Sequence, residues 1–452
     1  MPEVDLLIAG ASVVTAEGTR RAHVAVADGR IRSVGPERPS AATEVDASGL
    51  LVLPGGVDTH VHLMDPGSTE REDFPTGTSA AAAAGVTTVI EHSHGQPVRT
   101  VEDLRAKQAY LDGRSHVDFG LAAHAWPGQT DAVAPLWAAG IAFFKLFTCT
   151  THGVPGHDAA ALKAHLLAAG RADAVTLMHC EDESLTSAAE RVLRAQGRED
   201  NGILLDWRER DAELVAAAVA ALLVRRSGAR ATVAHVSNPE VADYVAGERR
   251  RGARLAAESC PQYFLLREDE VHEHGPLRKF TPPARARVDD DEHQMWRLLR
   301  DGTLTHMSSD HAPSTLEQKR AGDIWNVHFG LPGLDSTYAL LLDAAARGRL
   351  SYPDVVRAYC EAPARAYGLW PAKGSLLPGA DADLALVDPA APRTLRNGDV
   401  LSKAGWTPYD GRPVTGRVVR TYLRGVPIAV GGAPTGPRSG RFLPGPGAGQ
   451  RQ

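Results

Sequence analysis

Eight short apolar runs, most of them separated by Ala- and Leu-rich stretches of helical character, constrain this 452-residue chain more than any other feature. They lie at residues 51–57, 86–90, 117–122, 141–147, 175–178, 231–234, 253–257 and 304–307. Runs this short match strands better than helices. The stretches between them read as helices; in one, over 158–169, Asp158 is placed to cap the start and Gly170 to end it. Eight strands alternating with helices predict an α/β fold, a (β/α)8 TIM-like barrel. In that architecture chemistry gathers at the C-terminal ends of the strands.

The ends of the chain follow a different rhythm. The first fifty residues alternate β-like runs with turns, as at Asp28-Gly29, and the same pattern returns at 383–387 and 417–430 around Arg424-Gly425. Residues 1–53 and 374–430 are therefore expected to form one small β-sandwich domain built from both termini, with the barrel over 54–373. The Gly/Pro-rich stretch 431–452 reads as a flexible tail. A net charge of −6 gives no reason to expect nucleic acid or an anionic membrane as partner. Cys149, Cys180, Cys260 and Cys360 form no CxxC and read as buried free thiols of a reducing compartment. The opening MPEVDLLIAG lacks the features of a signal peptide, and the apolar run 214–224 is about half of what a bilayer requires. That run reads as a buried helix, and the protein as cytoplasmic.

Chemistry-bearing residues fall where the barrel would collect them. His60 and His62 follow the first run, one residue apart, so that on a strand both imidazoles face the same side and can serve one metal ion. Lys145 lies in the fourth run between Phe144 and Phe147, His179 ends the fifth, His235 the sixth, and Asp310 follows the eighth. Taken singly each has an ordinary alternative: a polar strand end, a snorkelling lysine, a satisfied core histidine, a helix cap. A lysine desolvated among phenylalanines has a lowered pKa and a nucleophilic free amine, able to capture CO2 as a carbamate.

The segments GGVDTHVHLMDPG, FFKLFTC, TLMHCE, AHVSNPE and SSDHAPST resemble the signature segments of the cyclic amidohydrolases, the group of dihydroorotases, allantoinases and hydantoinases. Further echoes are GTSAAAAAGVTTVIEH at 77–92, ESCPQYFLL at 258–266, KFTPPAR at 279–285 and GSLLPGADADLALVDP at 374–389. The resemblance implies two divalent metal ions, zinc by expectation. His60, His62 and Asp310 would hold the more buried ion and His179 and His235 the more exposed one, with N6-carboxylated Lys145 bridging them together with a hydroxide. It implies hydrolytic ring opening of a cyclic amide, imide or ureide, with Asp310 shuttling the proton, and a homotetramer or homodimer.

Departures from the family patterns bear on the substrate. Dihydroorotases typically carry an Arg where this chain has Met64, an Asn near the position of His94, and a His where Ser314 stands, which argues against that activity. Hydantoinases place a Tyr five residues after the lysine, where this chain has Thr150; Thr281 would offer backbone donors. An allantoinase- or hydantoinase-like reading remains, with Met64, His94, Thr150, Thr281, His311, Ser314 and Phe329 as candidate substrate contacts. Glu91, His92 and His94 form a polar patch, and GDIWNVHFGLPG at 322–333 reads as a pocket wall in which Trp325 and Phe329 cover a ring. Two rival classes are a catalytically inactive structural or regulatory homologue and a different amidohydrolase reaction such as deamination.

Overall fold

The strand Gly56–Val61 runs parallel to Val86–Glu91, which pairs in parallel with Asp118–Leu121, in a three-stranded sheet. A six-stranded parallel sheet continues with Ala123–His124, Phe144–Phe147, Val175–His179, Arg230–Val233, Arg254–Ser259 and His306–Met307. These ranges come from a computed structural model, which describes residues 2–448. Backbone hydrogen bonds link the two sheets: Ala142 N donates to Leu121 O at 2.8 Å, and His62 N to His311 O at 2.7 Å. Buried Asp58 adds a side-chain tie across the second junction, accepting from Ser309 N and from the Tyr359 hydroxyl at 2.7 Å. The strands are buried on both sides, as expected when helices cover the faces.

The helices between strands start where side chains can accept from the first free N–H groups. Asp73, Thr100, Asp158, Asp182 and Asn238 each accept from a backbone amide three residues on. The helix capped by Asp158 runs through Ala159–Arg171, one residue past the expected stop at Gly170. Helix Arg210–Ser227 departs from the expected buried helix. Its buried face consists mainly of alanines, while Val215, Val219 and Leu222 stand exposed.

A nine-stranded sheet combines both ends of the chain: Val4–Thr15, Gly18–Ala27, Arg30–Gly35, Ala41–Asp46 and Leu51–Pro54 with Leu384–Thr394, Pro413–Leu423, Val426–Val430 and Ala433–Pro434. Leu6, Ile8, Val13, Val24, Val52, Leu384, Leu386 and Tyr422 make one of its cores. The apolar run 51–57 is thus two strands. Leu51–Pro54 pairs with Leu384–Val387 of this sheet, and the chain breaks at Pro54-Gly55 before entering the parallel sheet at Gly56.

Residues 438–448 correct the expectation of a flexible tail; residues 449–452 lie outside the described part. Phe119 N donates to Arg441 O, Leu443 N to Phe119 O and Gly445 N to Gly140 O, at 2.7–2.9 Å. This strap crosses the starting ends of the strands. Glycine is required there because a β-carbon at Gly440 or Gly445 would fall 1.9 Å from a backbone oxygen of Val117 or Ile141. Composition suggested looseness; the glycines instead allow backbone to lie on backbone. Among the described residues no helix is long and apolar enough to cross a membrane, and all four cysteines are free and buried.

Candidate active site

His60, His62, Lys145, His179, His235 and Asp310 line a single pocket at the C-terminal ends of the parallel strands. Strand register produces this. Lys145 pairs with Leu177 and Phe147 with His179, so Lys145 and His179 come from adjacent strands, two residue levels apart. Lys145 Nζ lies 3.2 Å from His60 Nε2, which is 3.1 Å from Asp310 Oδ1. His62 Nε2 is 3.4 Å from the same oxygen. His179 Nδ1 and His235 Nε2 approach to 2.9 Å. His235 and Asp310 adopt left-handed φ values of 38° and 48°. Such strain in non-glycine residues persists where surrounding structure enforces it and clusters at functional sites.

Three of the four imidazoles are held from behind. Glu258 Oε1 binds His60 Nδ1 at 2.6 Å, the His92 carbonyl binds His62 Nδ1 at 2.8 Å, and Glu181 Oε2 binds His179 Nε2 at 2.8 Å. Each outer nitrogen therefore carries the proton, and the inner nitrogen presents a lone pair to the pocket. The fourth, His235, has a buried Nδ1 with no hydrogen-bond partner.

Burial governs the protonation of the cluster. It pushes Lys145 down to about 8 against the pull of Asp310 and Glu258, so that near neutral pH an appreciable fraction is free amine. It pushes His62 down to about 4 and His235 well below the usual imidazole range. Burial favours a neutral Asp310, yet His60 and His62 beside it outweigh that and hold its carboxyl well below the usual range. Burial and Lys145 oppose protonation of His60, yet Glu258 and Asp310 outweigh them and raise its pKa above the usual imidazole value, while burial lowers that of His179. The set is thus three neutral imidazoles, His60 between two carboxylates, the Asp310 carboxylate and a deprotonatable amine.

This donor chemistry fits divalent cations: inward lone pairs, outer nitrogens fixed by carboxylate or carbonyl, and an orphaned buried nitrogen on His235. His92 brings a further ring nitrogen within 4.8 Å of nitrogens on His60 and His62. Cys149 lies as close to His179 and Glu181, but burial pushes its thiol up to about 12, which disfavours a thiolate ligand. A third acidic group, Asp118, Asp381 and Asp383, is already served by the Lys373 ammonium at 2.5–2.9 Å.

The expected substrate contacts divide. His94, Thr281 and Phe329 line the pocket. Thr150 does not: it lines a separate cavity, and its hydroxyl accepts from Gly156 N at 3.3 Å. The loop after Lys145 turns back on itself, with Thr151 and Val154 exchanging backbone hydrogen bonds around His152-Gly153, both at positive φ. That turn delivers His152 into the pocket in place of Thr150. Met64, His311 and Ser314 are also absent from the pocket lining and buried elsewhere. His311 is engaged by Glu72 at 3.2 Å and by Gly333 N at 3.1 Å, and the Ser314 carbonyl accepts from Trp406 Nε1. Trp325 packs on Trp207 and donates to Arg198 O, outside the pocket lining. Of the Glu91–His94 patch, Glu91 is neutralised by Lys107 at 2.5 Å.

Glu181, Glu258 and His152 escaped sequence reasoning. The first two sit inside the quoted segments TLMHCE and ESCPQYFLL; Glu181 stands two residues from the His179 it orients, whereas no local spacing announces the partner of Glu258, 198 residues away. The space within the half-open pocket that a water-sized sphere can occupy is about 20 Å³, room for one water molecule.

Parallel strands that present inward-facing imidazoles, a lysine and a carboxylate at their C-terminal ends define a protein built to hold catalytic cations. The chain belongs to the amidohydrolase family, whose model matches residues 51–428. It is 36% identical over 451 residues to an allantoinase of Rubrobacter xylanophilus, covering 98% of each chain. It is 30% identical to an L-hydantoinase of Paenarthrobacter aurescens over 94% of each. Among solved structures it is similar to an L-hydantoinase (dihydropyrimidinase) from Arthrobacter aurescens, with a TM-score of 0.94 and 29% identity over 98% of this chain and 100% of that one. A D-hydantoinase structure follows at a TM-score of 0.91 and 28% identity, covering 97% of this chain and 98% of that one.

Proposed function

We propose that this chain is a binuclear-metal-dependent hydrolase that opens the ring of a cyclic ureide or amide, of the allantoinase and hydantoinase type. The observation that carries the reading is the convergence of six donors from distant segments into one pocket, with three imidazoles oriented from behind. His60, His62 and Asp310 would hold one divalent ion, His179 and His235 the other, and N6-carboxylated Lys145 would bridge them, with zinc the ion expected. When bound, the ions supply a water of lowered pKa and Lewis acidity toward a carbonyl oxygen. Residues 54–373 are taken as a (β/α)8 barrel, and 1–53 with 374–430 as a β-sandwich.

The chain's own groups do the rest. Asp310 Oδ1, facing His60 and His62, accepts the proton of the attacking water and returns it to the leaving ring nitrogen. Water adds to the carbonyl carbon, the carbon–nitrogen bond breaks, and the product is an open-chain acid with a freed urea or amide end. Phe329 and Phe147 keep the pocket dry, which strengthens each electrostatic contact inside it. Glu181 accepts from Thr281 at 2.6 Å and from Arg208 at 3.2 Å, fixing the carboxylate that orients His179.

The exposed Leu167, Val215, Val219, Leu222 and Tyr244, on three neighbouring outer helices, support a homo-oligomer, dimer or tetramer, in which a second copy covers this face. The four buried thiols favour a reducing, cytoplasmic setting. The test is a panel of rings: allantoin, hydantoin, dihydrouracil, dihydroorotate and succinimide, scored for ring opening by the metal-loaded protein. Opening of allantoin or hydantoin is expected. Deamination products, or no turnover of any ring, contradict the reading.

A further inference from the structure

With the six donors set aside, the polar side chains lining the pocket are His94, His152 and Thr281. Thr281 gives its hydroxyl to Glu181. The two histidines remain. His94 and His152 lie face to face, with centroids 4.4 Å apart and planes 4° from parallel, and His94 also stacks on His62 at 4.3 Å. His94 Nδ1 is buried without a hydrogen-bond partner. His152 sits at the tip of its two-residue turn at φ 52° and meets Phe329 edge-on at 5.9 Å.

Two features say what such a pair is for. Parallel stacked imidazoles direct their in-plane lone pairs side by side, so His94 and His152 do not chelate a third ion. Lys145 is the single cationic side chain in the pocket lining, among the described residues, and it belongs to the donor set. Nearby cations are turned elsewhere: Lys279 to the Val327 carbonyl at 2.5 Å, Arg208 to Glu181, and Arg71 to the Pro313 carbonyl at 3.0 Å. Nothing there is free to meet a substrate carboxylate.

We infer that His94 and His152 are the specificity element of the pocket and receive an uncharged ureido arm carried by the substrate ring. This inference rests on the ring-opening reading above and narrows its substrate class to neutral ureides. A neutral imidazole offers one N–H donor and one lone pair. A planar ureido group offers the complementary carbonyl and N–H and can meet the edges of the stacked rings, where their in-plane nitrogens lie. A ring bearing a carboxylate in the same place would be left without a counter-charge.

The test compares kcat/KM of the metal-loaded enzyme on three rings: allantoin with its ureido arm, hydantoin without an arm, and dihydroorotate with a carboxylate. Variants are His152→Asn and His152→Gly, both compatible with the left-handed turn, and His94→Phe, which keeps a stackable ring and loses the nitrogens. The wild type is expected to favour allantoin over dihydroorotate by at least about 100-fold. His152→Gly and His94→Phe should lower the allantoin-to-hydantoin ratio by about tenfold or more, chiefly through KM, with metal content per chain as in the wild type. His152→Asn, which keeps a donor and an acceptor, should hold the ratio within about threefold. An unmoved ratio in His152→Gly, an equal loss on both rings, loss of metal, or preferential opening of dihydroorotate would each overturn the assignment. Failure of the wild type to open any ring would sink the ring-opening reading itself, and this inference with it.

Discussion

At the starting ends of the parallel strands, buried charge is matched by opposite charge. Asp118 accepts from Lys373 and Arg424 at 2.5 Å and from the Arg441 amide at 2.8 Å, and Lys373 also serves Asp383 at 2.7 Å. The strap 438–448 lies over this network. At the finishing ends of the same strands, nitrogens of His92, His94, His124 and His235 are buried without partners, and backbone strain sits at His152, His235 and Asp310. Unsatisfied buried polar groups cost stability. A chain that pairs buried charge at one end of its strands and gathers unpartnered imidazole nitrogens at the other invests in stability below and in ligand chemistry above.

That contrast makes substitutions at the two ends separable. The largest effect belongs to the upper end. Asp310→Asn should reduce kcat by at least about 1,000-fold, since it removes the group that moves the proton. Its urea midpoint should change little, and unfolding monitored by circular dichroism alongside ring-opening kinetics checks both halves. Asp118→Ala should do the reverse. Asp381 and Asp383 still neutralise Lys373, but losing the charge-assisted bonds from Lys373 and Arg424 should cost about 2–3 kcal/mol by denaturant titration, while the folded fraction turns over at nearly the wild-type rate. Removing residues 438–452 should cost about 2 kcal/mol, as Phe442 is lifted from Phe119 and the backbone bonds of the strap are lost, again with little change in turnover. Reconstitution of metal-depleted protein with metal and bicarbonate should speed up as pH rises from about 6.5 to 8.5. Lys145, held near 8, must lose its proton before its amine can capture CO2. The smallest effect is expected at Thr150→Ala, where kcat/KM should stay within about twofold because the hydroxyl faces a separate cavity. A large loss there would mean that the loop presents Thr150, not His152, to the ligand.

The same contrast explains what the sequence made legible. Period-two spacing is a local property, so His60 and His62 could be read directly, as could Lys145 among its phenylalanines. Glu258 could not: it orients His60 from another strand, and no periodicity links the two. Thr150 was misplaced because counting five residues from Lys145 assumes an open loop, whereas the tight turn at His152-Gly153 folds the segment back. The run 51–57 reads as one strand because hydrophobicity carries no record of which sheet a residue joins; Pro54-Gly55 marks the change. The strap was read as loose because backbone-to-backbone contact needs glycine, the residue that composition also associates with disorder.

Everything proposed for the upper end depends on the six converging donors meeting cations. Elemental analysis of freshly purified protein, performed on the same sample in which ring opening is assayed, tests this most directly. The account predicts two divalent ions per chain, with activity falling in step as they are withdrawn; metal-free protein that opens rings at the full rate would contradict it.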